Sequence, residues 1–206
     1  MPAKRDRPLL EAFLQNAEAA ADLLTDNEAI RAIPVIGTAF KVCRGIDDIK
    51  SRIFAAKVAA FISEPHLQTA AARQKMKQKL LDNPAEAEAV GETLFLVLDR
   101  LIDIDKSALL AKIYVAYIDG VLAQIELKRI AQAIDLSFGE DLKWFVETDD
   151  ARLYTDSDEV LALLEPAGLV SSTVGRAPPG LQRLSRSITP LGHALRKAWR
   201  HVPTEP

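Results

Sequence analysis

The feature that most constrains this chain is the recurrence of apolar residues at three- and four-residue intervals through most of its first 146 positions. Leu9, Phe13, Ala17, Ala20 and Leu24 repeat at that spacing after Pro8. Ile36, Phe40, Cys43, Ile46, Ile49, Ile53, Ala56 and Ala60 continue it, and Val90, Leu94, Val97, Leu98 and Leu101 form a third stripe. Such spacing puts the apolar side chains on one face of a helix and excludes the alternation a half-buried strand needs. The spacing therefore predicts helices packed on helices. Ala, Leu, Ile and Val carry most of the apolar content while aromatics make up only 6%, which favours the same packing over a sheet sandwich.

Breaks in the pattern set the element boundaries. Pro34 opens the second stripe and Pro65 closes it, a helix follows in HLQTAAARQKMKQKLLDN, and Asn83-Pro84 opens the next. The bases Arg73, Lys75, Lys77 and Lys79 sit in the C-terminal half of that intermediate helix, where they complement its dipole on a solvated face. A helix from about Ser107 ends at Asp119-Gly120, another from about Gln124 carries Ile125, Ile130 and Ile134, and Phe138 to Val146 makes a short one. Beyond Asp150 the character changes. A helix near Asp158 to Leu164 precedes two strand candidates, LVSS and RSI, separated by a loop rich in Gly and Pro. Thr189 as N-cap with Pro190 at the first helical position starts the last helix. The expected fold is mainly α: a helical bundle over residues 1–137, then a small winged-helix-like unit over residues 138–206 with a two-stranded hairpin.

The stretch IPVIGTAFKVCRG, residues 33–45, admits three readings. Only nine uncharged residues, Ala32 to Phe40, separate Arg31 from Lys41, against roughly 20 for a spanning helix. It lacks the G-x-x-x-x-G-K-[ST] spacing of a phosphate loop. Asp47 and Asp48 interrupt the basic face that a membrane-surface helix would present. The expectation is a buried amphipathic core helix. Glu11 and Glu18 interrupt the N-terminus before a signal-peptide stretch forms, and the single Cys43 excludes an intrachain disulfide, so a reducing, cytoplasmic setting is expected.

The charge is unevenly placed. From Gly175 to Pro206 the bases Arg176, Arg183, Arg186, Arg196, Lys197 and Arg200 face one acid, Glu205, a net of +5 that leaves −8 for the remainder of the total of −3. These six residues are the candidate anion- or nucleic-acid-binding set. The helix before Pro166 carries Asp156, Asp158, Glu159 and Glu165, which oppose phosphate, so any nucleic-acid contact is expected to be independent of base sequence.

Catalytic signals are thin. His66, His193 and His201 show no metal-ligand pairing at four-residue spacing, and Cys43 lies in an apolar stripe. DIDKSALLAKIY, Asp103 to Tyr114, begins like a calcium loop but has Ala108 and Tyr114 where glycine and glutamate are needed. It reads as an interhelical turn with Asp105 capping. No cofactor or metal is expected.

In YIDGVLAQIELKRIAQAID, Asp119, Gly120, Leu122 and Glu126 resemble the helix-joining signature D-G-x-[IL]-x-x-x-E of TerB-type tellurite-resistance domains, over residues 92–136. The resemblance implies an all-helical module linked to bacterial stress and phage-defence systems, with acidic residues proposed to bind metal. The second acidic repeat of that family is not evident. On the residues alone, Asp119 and Glu126 are expected to terminate and cap helices. Residues 156–201 resemble a degenerate winged-helix domain through Ala167, Gly168, Leu169, Val170 and the run Ile188 to Leu195, without a clear recognition helix. The leading expectation is a non-enzymatic interaction or sensor module with a protein partner. Competing readings are a winged-helix nucleic-acid-binding regulator and a hydrolase whose site is assembled only in space.

Overall fold

The structure is a computed structural model that describes residues 49–149, 158–175 and 183–202. Among the described residues there are eight helices and one two-stranded antiparallel hairpin, so the mainly α class with a C-terminal hairpin is as expected. The stretch at residues 33–45, with Cys43, lies outside the described residues.

The chain divides into two compact units between Ala111 and Lys112. In the first, α1 (Ile49–Ile62), α2 (Ala70–Asp82) and α3 (Pro84–Arg100) pack with α3 against both others, and α4 (Asp105–Ile118) begins. Val90, Leu94, Val97 and Leu98 form the inner face of α3. Phe54 and Phe95 meet edge to face at 5.3 Å, a favoured aromatic geometry. Of the expected α1 stripe Ala56 is buried, whereas Ile53 is exposed and Phe54, Val58, Phe61 and Ile62 take the core.

Local signals set the ends. Thr69 caps α2 by accepting from Ala72 N at 3.1 Å. Asn83 closes α2 with its backbone N–H and opens α3 by accepting from Glu86 N at 3.2 Å, with Pro84 at the first position. At the start of α4 the capping carboxylate belongs to Asp103, which accepts from Asp105 N at 3.0 Å. The expectation that Asp105 caps is thus corrected. Asp105 is already the first helical residue, and a cap must precede it.

The second unit holds the rest of α4, then α5 (Gln124–Leu136), α6 (Gly139–Glu147), α7 (Asp158–Leu163), β1 (Val170–Gly175), β2 (Arg183–Ile188) and α8 (Pro190–His201). The strands pair antiparallel from Val170 opposite Ile188 to Gly175 opposite Arg183. Helix α8 packs on α5, α6 and β2, while α7 packs on α6 and the hairpin. The core collects Leu127, Ile130, Ile134, Leu142, Phe145, Leu164, Leu169 and Leu195. Packing puts α5 beside α8, because the inner face of α5 is apolar and α8 covers it.

Candidate functional site

Helix α8 begins where the sequence marks it. Thr189 accepts from Gly192 N at 3.1 Å and donates its hydroxyl to Gly168 O at 2.7 Å, and its backbone N–H donates to Leu169 O at 3.0 Å. A side chain at position 192 would put Cβ 2.3 Å from Leu169 O, so the helix start lies directly on the backbone that enters β1. Glu165 accepts from both the backbone N–H and the hydroxyl of Ser172, at 3.1 and 2.7 Å. That carboxylate therefore fastens the hairpin.

The six bases do not form one surface. Arg196 is only 2% exposed. Its guanidinium donates to the carbonyls of Phe145 and Thr148, at and just beyond the end of α6, and lies 5.3 Å from the Phe145 ring centre. A fork of N–H donors suits the carbonyls that a helix C-terminus leaves unpaired, and the helix dipole favours a cation there. Arg196 thus serves the fold from inside. Lys197 and Arg200 are exposed on the outer side of α8, as is His193. Arg186 is half-buried on β2 opposite Ser172, and Arg183 pairs with Gly175 at the strand start. Arg176 lies outside the described residues.

The joint between α4 and α5 accounts for the D-G-x-L-x-x-x-E residues one by one. Gly120 takes φ +78, and Val121 N reaches back to Ala116 O at 2.9 Å, the closure of a helix on a left-handed residue. Leu122 is buried. Glu126 accepts from Ala123 N at 2.8 Å, which caps the start of α5. Asp119 does more than end a helix: its Oδ2 lies 2.9 Å from Nε2 of His201, at the far end of α8. Eighty-two positions separate the two, so no local pattern announces the pair. Nearby, the Lys112 ammonium stands 4.1 Å over the Trp199 ring, a cation–π contact on a buried lysine. His66 Nδ1 lies 3.0 Å from Glu64 Oε1. Among the described residues, no group of three or more His, Cys, Asp or Glu is placed to hold a metal ion.

The outer face of α5 carries a surface that the sequence reading did not find. Leu127, Ile130, Ala131 and Ile134 face inward, so Ile125, Arg129, Gln132 and Leu136 form the opposite ridge. Ile125 is 56% exposed, Leu136 61%, and Phe138 just beyond is 64% exposed. The expected grouping of Ile125 with Ile130 and Ile134 is corrected: Leu127 and Ala131 share the buried face with Ile130 and Ile134, and Ile125 lies outside it.

Comparison with known proteins gives no match: no protein-family model, no curated protein and no solved structure matches this chain. Among the described residues no helix is long and apolar enough to cross a membrane.

Proposed function

We propose that this chain is a non-enzymatic helical interaction or sensor module that binds a protein partner through the outer ridge of α5. The observation that carries the reading is the exposure of Ile125 and Leu136 on one face of α5, with Arg129 and Gln132 between them, and of Phe138 just beyond the helix. Large apolar side chains gathered on one face mark association surfaces, whereas scattered ones do not. A bacterial stress or phage-defence setting, in the cytoplasm, is what the TerB-type resemblance and the cysteine usage imply.

The competing regulator reading draws on the order α7, hairpin, α8 and on Arg186, Lys197 and Arg200. It is the weaker of the two, because Arg196 is withdrawn from the basic set and serves the end of α6. The deciding experiment is affinity capture from the native host with the wild-type chain and with Leu136→Lys/Phe138→Ser, helicity being checked by circular dichroism. A protein retained by the wild type and lost by the variant supports the interaction module. Identical capture by both rejects the ridge as its binding face.

A further inference from the structure

No further inference is drawn: the strongest candidate, the cationic ridge of His193, Lys197 and Arg200 on the outer side of α8, belongs to the basic set already described, and nothing in the structure shows which anionic partner covers it.

Discussion

Arg196 and Lys197 are adjacent in sequence and opposite in role. One side chain is sealed against the end of α6 and the other is in solvent. Arg196→Met keeps much of the volume but leaves the Phe145 and Thr148 carbonyls without their donors, which should cost about 3 kcal/mol in denaturant unfolding, while Lys197→Met should stay within about 0.5 kcal/mol. Arg196→Lys should recover only part of the loss, because an ammonium lacks the planar fork that spans two carbonyls. Tyr114 gives a prediction in pH. Burial pushes its hydroxyl well above the usual phenol range, so the folded chain keeps a proton that the unfolded chain releases near pH 10. Above that pH the unfolded state binds fewer protons than the native one, and stability falls as pH rises, by up to about 1.4 kcal/mol per unit for this group. The free energy of unfolding measured from pH 9 to 11 should therefore fall faster with pH in wild type than in Tyr114→Phe; equal pH slopes would show that Tyr114 ionises freely in the fold.

Helix α8 shows what local chemistry specifies and what it leaves open. Its start was legible because Thr189 and Pro190 act through neighbouring atoms: a hydroxyl satisfies an orphan N–H, and a ring fixes φ. The same hydroxyl also reaches Gly168 and Leu169, so Thr189→Ala should cost about 2 kcal/mol and Thr189→Ser much less, as measured by thermal unfolding. The joint of Gly120 and Glu126 was legible for the same reason. Which way Arg196 turns was not, since that depends on α6 ending beside α8, 48 positions away from Thr148. Nor was the outward position of Ile125. Two apolar stripes can be drawn along α5, and only the helix that covers one of them decides which is core. The hairpin was found as two short strand candidates, and its pairing runs further at the loop end, to Gly175 opposite Arg183, because ladder hydrogen bonds tolerate polar side chains.

At the scale of the molecule, the charge asymmetry remains the property through which an anionic partner would be felt. Lys197 and Arg200 are presented to solvent, whereas Arg196 is not, so attraction to duplex DNA should be modest, strongly salt-dependent and indifferent to sequence. Fluorescence anisotropy with several duplexes at low and moderate salt measures this. A preference of about a thousandfold for one duplex at physiological salt would establish sequence reading and replace the interaction module with the regulator. The sequestered guanidinium also has a practical meaning. Because Arg196 is shielded only while α8 is docked on the end of α6, an arginine-selective reagent should label Arg200 at once and Arg196 only as fast as that docking is lost. Site-resolved labelling rates would then turn one buried side chain into a built-in clock for the opening of the second unit.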